Sequence, residues 1–174
     1  NTKGELKHTC TEFNGWVSSV THVKQEKQNF IAVGSWEGQV KLFNQEYALQ
    51  NAIEGFDYGI VSTQTDADGE FLFSAEKNGK IRVHSLNGTN SELKSVIEVN
   101  GDINAISYDS TYFMAIAVAS SKGLLIHEVN KVNKTLFEGK YGNCLSLAWD
   151  ESKTYLFAGF ADGVIRVFKF GIEA

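Results

Sequence analysis

The sequence predicts an all-β fold, a run of β-propeller blades built as four-stranded antiparallel sheets, with four blades in 174 residues. Three observations predict it. An alternating quartet recurs as Val40-Lys41-Leu42-Phe43, Ile81-Arg82-Val83-His84, Leu124-Leu125-Ile126-His127 and Ile165-Arg166-Val167-Phe168, its last residues 41, 43 and 41 positions apart. A tight turn precedes each quartet: Trp36-Glu37-Gly38, Lys77-Asn78-Gly79, Ser121-Lys122-Gly123 and Ala161-Asp162-Gly163. A small residue (Gly34, Ala75, Ala119, Gly159) lies on the strand just before each turn. Alternation puts successive side chains on opposite faces and marks half-buried strands. A period in the low forties with four short strands per unit is propeller spacing. Helical repeats of that length would need a 3.6-residue pattern over ten or more residues, and none is present.

The last unit, residues 147–170, shows the pattern most plainly. Leu147–Trp149 ends a strand, Asp150–Lys153 is a polar turn, Tyr155–Phe160 is a second strand and Val164–Phe170 a third. Asp162-Gly163 is a hairpin dipeptide, because Gly accepts positive φ without steric cost.

Read in order, Gly4–Phe13 alternates and is expected as the outer strand of a preceding blade, assigned to residues 1–14. The first blade takes 15–55, with strands Trp16–Val23, Phe30–Ser35, Gln39–Phe43 and Tyr47–Ile53. The second takes 56–100, with Asp66-Ala67-Asp68-Gly69 as its first turn and Asn87–Ser91 between its last two strands. The third takes 101–140, and the fourth, 141–174, stops before an outer strand. All four belong to one propeller domain, for which 16 strands are expected. An orphan strand at one end and a missing one at the other read as the C-terminal portion of a larger ring.

Hydrophobic residues make up 43% and aromatic residues 12%, enough to exclude a disordered chain. No apolar run approaches the length of a membrane-spanning helix. Asn1 in place of Met reads as a start lying upstream. A net charge of −5 argues against a nucleic-acid surface spread over the whole chain. Cys10 and Cys144 stand alone and read as free thiols in a reducing compartment, filling small core positions. The sequons at Asn87 and Asn133 fall in predicted turns and read as turn chemistry.

No residue set supports catalysis. The four histidines, His8, His22, His84 and His127, have no metal-site spacing. Asp66–Glu70 resembles only the opening of a calcium loop and reads as a turn. There is neither a nucleophile elbow nor a phosphate loop. No enzyme activity, cofactor or metal is expected. Two features point to partners instead. Lys77, Lys80 and Arg82 form a basic group that is either a contact for nucleic acid or an acidic partner, or a solvated strand face. Trp36 stands at a turn tip, where it is either an exposed anchor of the kind interface hot spots favour or packing against the next blade.

The series Trp16-Val17-Ser18-Ser19-Val20, Gly34-Ser35-Trp36-Glu37-Gly38, Gly101-Asp102-Ile103-Asn104-Ala105 and Cys144-Leu145-Ser146-Leu147-Ala148-Trp149 resembles the receptor for activated C kinase family. So does Leu156-Phe157-Ala158-Gly159-Phe160 followed by Arg166-Val167. The resemblance covers the whole chain and implies the fourth to seventh repeats of a seven-bladed WD-repeat scaffold. It further implies a cytoplasmic, non-catalytic protein that docks on the small ribosomal subunit through its proteins and rRNA, and recruits protein kinases and other signalling proteins. The main ribosome-docking contacts of that family lie in its first repeat, outside this sequence. Its kinase-interacting stretch aligns with Leu124–Val129, making Leu124, Leu125, Ile126 and His127 partner-contact candidates; Leu125 replaces a basic residue and His127 a Trp. The alternative is a G-protein β subunit or another cytosolic WD-repeat adaptor.

The chain departs from the WD pattern. The Trp ending each third strand is Phe43, His84, His127 or Phe168, and the following Asp is Asn44, Ser85, Glu128 or Lys169. The His before each first strand is absent, with Phe56 or Tyr141 nearby. Aromatic packing is therefore expected in place of the buried hydrogen-bond chain, since a half-satisfied polar network is worse than an apolar one. His84 and His127 are expected to be packed, each with one nitrogen hydrogen-bonded.

Overall fold

A computed structural model describes residues 4–109, 114–129 and 134–170. Four antiparallel sheets follow one another along the chain. The first holds β1 (Val17–Lys24), β2 (Asn29–Ser35), β3 (Gln39–Phe43) and β4 (Leu49–Ile53). The second holds β5 (Ile60–Thr65), β6 (Phe71–Glu76), β7 (Lys80–Asn87) and β8 (Asn90–Glu98). The third holds β9 (Ile103–Asp109), β10 (Ala115–Ser120), β11 (Gly123–Glu128) and β12 (Thr135–Gly139). The fourth holds β13 (Cys144–Trp149), β14 (Tyr155–Phe160) and β15 (Ile165–Lys169). In each sheet the strands lie in chain order, so every connection within a blade is a hairpin.

The sequence dictates the hairpins at the predicted turns. Gly38, Gly79, Gly123 and Gly163 have φ of 73°, 96°, 146° and 81°, a region that residues with a Cβ enter at a cost. One backbone bond repeats in all four blades: Trp36 N to Trp16 O, Lys77 N to Gly59 O, Ser121 N to Asp102 O and Ala161 N to Asn143 O. It ties the second-strand turn to the residue before the first strand, and all four distances fall between 2.8 and 3.0 Å.

One expected strand is absent. Gly4–Phe13 forms no strand, and the first described strand is β1. The segment still lies against the first blade: Phe13 packs on Phe43 at 6.2 Å, and Lys41 Nζ donates to the Glu12 carbonyl while sitting over the Phe13 ring. Alternation supplies the faces of a strand but not its ladder, and no described strand pairs with this segment. Residues 171–174 and Asn133, the first residue of its sequon, lie outside the described residues.

The core consists of three layers, each clamped between successive blades. Val40 and Leu42 meet Ile60 and Leu72; Phe73 and Ile81 meet Ile103 and Ile116; Leu124 and Ile126 meet Cys144 and Leu156. Hydroxyls join the first pair of blades as well: Ser18 Oγ donates to Ile60 O at 2.5 Å, and Thr21 Oγ1 meets Thr63 Oγ1 at 2.7 Å. Cys144 is a buried free thiol as expected, whereas Cys10 is exposed, because the segment carrying it lies outside these layers.

The outermost faces have core residues without a layer to join. The sheet registers make Val40, Ile81, Leu124 and Ile165 equivalent, and likewise Leu42, Val83, Ile126 and Val167. The first three of each set are buried, whereas Ile165 is 71% and Val167 54% exposed. At the other end, Val20 is 66% exposed where its equivalents Thr63 and Ile106 are buried.

Candidate functional site

The basic group predicted from the second blade is largely paired off within the chain. Glu76, the last residue of β6, is fully buried and accepts from the Asp57 and Tyr58 amides at 2.7 and 2.9 Å. Arg82 Nε donates to Glu76 at 2.8 Å and Arg82 Nη2 to Asp57 at 3.2 Å, while the guanidinium lies over the Phe56 ring. Lys80 Nζ donates to Asp57 at 2.7 Å. That hydrogen bond, with the lysine charge behind it, holds the Asp57 carboxyl below the usual carboxylate range and raises the Lys80 ammonium above its own. Two carboxylates and two cations cancel. Lys77 turns toward the third blade, donating to Asn104 Oδ1 at 3.0 Å and the Ile103 carbonyl at 3.4 Å.

Sequence reasoning placed Glu70 and Glu76 close to the basic group but missed Asp57 and the buried role of Glu76. Glu76 occupies the place held by Ser35, Ser120 and Phe160 in the other blades, so the blade-to-blade alignment already isolates it as the charged exception. What it binds, the 57–58 amides and Arg82, appears only when the loop folds back.

The other predicted contacts divide by burial. Leu124, Ile126 and His127 are buried in β11, with Leu125 partly covered. They form interior layers of the third blade because a third strand, paired on both sides, turns one face to each neighbour. Trp36 combines both expectations. Its indole rests on Gly59, where an added Cβ would come within 2.9 Å of the ring, yet the residue is 48% exposed. Tyr58, beside Gly59, is 59% exposed.

Aromatic rings fill the place of the missing polar chain in three blades. Phe13 meets Phe43, Phe56 meets His84 at 5.9 Å, and Tyr141 meets Phe168 at 5.7 Å. A cation caps each: Lys41 over Phe13, Arg82 over Phe56 and Arg166 over Tyr141. His84 and His127 are packed, but His84 Nδ1 and His127 Nε2 are buried without a hydrogen-bond partner.

Burial therefore pushes both imidazoles below their ordinary value of 6.5, with the Arg82 charge adding to the effect on His84. Below that pH the unfolded chain binds protons that the folded chain refuses. The stabilisation is full above about pH 6.5 and is lost as pH falls through the lowered folded values. Thermal melts are expected to hold a constant midpoint from about pH 8 to 7 and to fall below about pH 6.5, a fall blunted in the His84→Phe, His127→Phe double variant. A midpoint that rises on acidification would refute this.

Residues 130–169 match the model of the WD domain, G-beta repeat family. The whole chain is 30% identical over 189 residues to the small ribosomal subunit protein RACK1 of Caenorhabditis elegans, covering 57% of that protein. It is 27% identical to RACK1 of Drosophila melanogaster, with all of this chain and 58% of that protein covered. RACK1y of rice is 27% identical over 97% of this chain and 54% of its own length. The chain thus spans a little over half the length of these relatives. Among solved structures, Sqt1 of Saccharomyces cerevisiae superposes with a TM-score of 0.77 at 16% identity, covering 91% of this chain and 46% of its own. The computationally designed Ika4 protein superposes with a TM-score of 0.77 at 14% identity, covering 97% and 100%. Both show likeness of fold alone. Repeating blades, a matched G-beta repeat and a likeness running from end to end make this a WD-repeat β-propeller chain similar throughout to the RACK1 proteins of the small ribosomal subunit.

Proposed function

We propose that the chain is part of a non-catalytic WD-repeat scaffold that docks on the small ribosomal subunit, through ribosomal proteins and rRNA, and gathers protein kinases and other signalling factors in the cytoplasm. The observation that carries this reading is the likeness to RACK1 proteins of animals and a plant along the whole chain. Rigid blades displaying loops suit simultaneous binding of several partners. Asp57 and Lys80 form an ion pair with each other, and His84 and His127 are buried rings. No described helix is long and apolar enough to cross a membrane.

Kinase recruitment through Leu124, Ile126 or His127 would require opening the third blade, so the proposed contacts are loop residues such as Trp36. The core-type faces at Val20 and at Ile165 and Val167 support packing against further blades of the same kind. Sedimentation tests the reading. The complete protein is expected to co-migrate with small ribosomal subunits at moderate salt and to dissociate at high salt. A protein that stays at the top of the gradient under both conditions would sink the ribosomal reading.

A further inference from the structure

At the joint between the first and second blades, two large aromatic side chains are presented to solvent on a backbone held by hydrogen bonds. Trp36 occupies the β2–β3 turn and Tyr58 the loop entering β5. Two glycines seat one on the other: a Cβ at Gly59 would come within 2.9 Å of the Trp36 indole, and one at Gly38 within 3.1 Å of the Tyr58 carbonyl oxygen. Behind Tyr58, its amide and that of Asp57 are fixed on the buried Glu76 carboxylate. Trp36 N is fixed on the Trp16 carbonyl at 2.9 Å. Both aromatics lie between two blades present in the chain, so their exposure does not depend on what covers the outer faces. The equivalent turns of the other blades carry Lys77, Ser121 and Ala161, so this joint alone has an indole there.

The charge around the pair is also one-sided. Asp57 and Glu76 are neutralised by Lys80 and Arg82, and the Lys77 ammonium is directed to Asn104. Glu37, next to Trp36, and Glu54, in the loop leading to Tyr58, remain. Among the described residues neither forms an ion pair; Glu37 accepts the Asn14 and Gly15 amides and Glu54 the Gln39 side-chain amide. Glu37 thus adjoins Trp36 along the chain and Glu54 precedes Tyr58 by four residues, and neither carboxylate has a cationic partner among the described residues.

We propose that the Trp36–Tyr58 rim is a docking site for an extended, proline-containing basic peptide segment. Pyrrolidine rings of a polyproline helix stack on exposed aromatic side chains, and the segment is already extended before binding, so little ordering entropy is lost. Lysine or arginine beside the proline meets Glu37 and Glu54. Because hydrogen bonds hold the backbone that carries both aromatics, little backbone reorganisation opposes binding. This site is independent of ribosome docking, and its test uses no ribosome.

The probe is a fluorescent peptide of repeating Pro-Pro-Arg, titrated with the chain and read by anisotropy, beside a matched Pro-Pro-Glu peptide. Saturable binding of the basic peptide is expected, with none of the acidic one. Trp36→Ala and Tyr58→Ala are each expected to weaken it by about ten-fold or more, and Trp36→Phe by less. The Glu37→Gln, Glu54→Gln double variant should weaken binding and flatten its dependence on salt. Tyr58 is exposed, so its variant tests the site even if Trp36→Ala perturbs the turn. Equal binding of both peptides, no saturation, or unchanged affinity in Tyr58→Ala and Trp36→Phe overturns the proposal.

Discussion

Replacing Glu76 with alanine is expected to lower the stability of the chain by about 3–5 kcal/mol. The carboxylate is fully buried, and it accepts two backbone amides and the Arg82 Nε. Its loss leaves a guanidinium whose side chain is only 15% exposed with the half-exposed Asp57 as its remaining carboxylate, together with two amides aimed at an empty place. A buried pair contributes modestly compared with well-packed apolar residues, but breaking it by removing one member leaves an uncompensated charge. Glu76→Gln should cost less, because an amide oxygen still accepts the Asp57 and Tyr58 amides. Urea unfolding of Glu76→Ala, Arg82→Ala and the double variant closes a cycle, and the double variant is expected to cost clearly less than the sum of the singles. If Glu76→Ala costs below about 1 kcal/mol, the 57–58 loop is held by something other than this carboxylate.

Ile81→Ala should cost about 2–5 kcal/mol, while Ile165→Ala in the same chain should cost about 0.5 kcal/mol or less. The two isoleucines stand at the same register position of successive third strands and follow equivalent turns. Ile81 is fully buried in the layer shared with the third blade, so truncation loses its transfer free energy and leaves a cavity. Ile165 faces outward from the last blade, and truncation there removes surface already in water. Chemical denaturation of the two variants decides the matter. Equal costs would show that the outer face of the fourth blade is covered in solution.

Most of the blade architecture was legible because each blade repeats a two-residue period ending in a turn that requires glycine. β3 matches its predicted bounds, and β1, β2 and β4 lie within two residues of theirs. Gly4–Phe13, expected as the outer strand of a preceding blade, has strand-like faces and forms no ladder with the described strands, because alternation encodes faces and not partners. The loop aromatics were legible as replacements for a missing polar chain, since Phe56 and Tyr141 stood where histidine was expected. Their cation caps were not, because Arg82 and Arg166 reach rings that precede them by more than twenty positions.

The candidate site was less legible. Lys77, Lys80 and Arg82 were visible as a basic group, but pairing with Asp57, Glu76 and Asn104 arises from a loop and strands brought together by the fold. Trp36 was visible at a turn tip; its companion Tyr58 was not, since nothing in a linear reading sets residue 58 beside residue 36.

The sequence by itself determined the four blades of this stretch, the strands within them and the turns that join those strands. These are local properties, written in alternation, in glycine at positive φ and in a period near forty-two residues. Only the tertiary structure decided which apolar positions are core and which charges are free. Ile81 and Ile165 read alike in sequence and differ because one has a neighbouring blade; Arg82 reads as a surface cation and is neutralised because Glu76 lies buried beneath it. Burial and pairing are properties of what stands opposite a residue, and in a propeller that is set by stacking between blades.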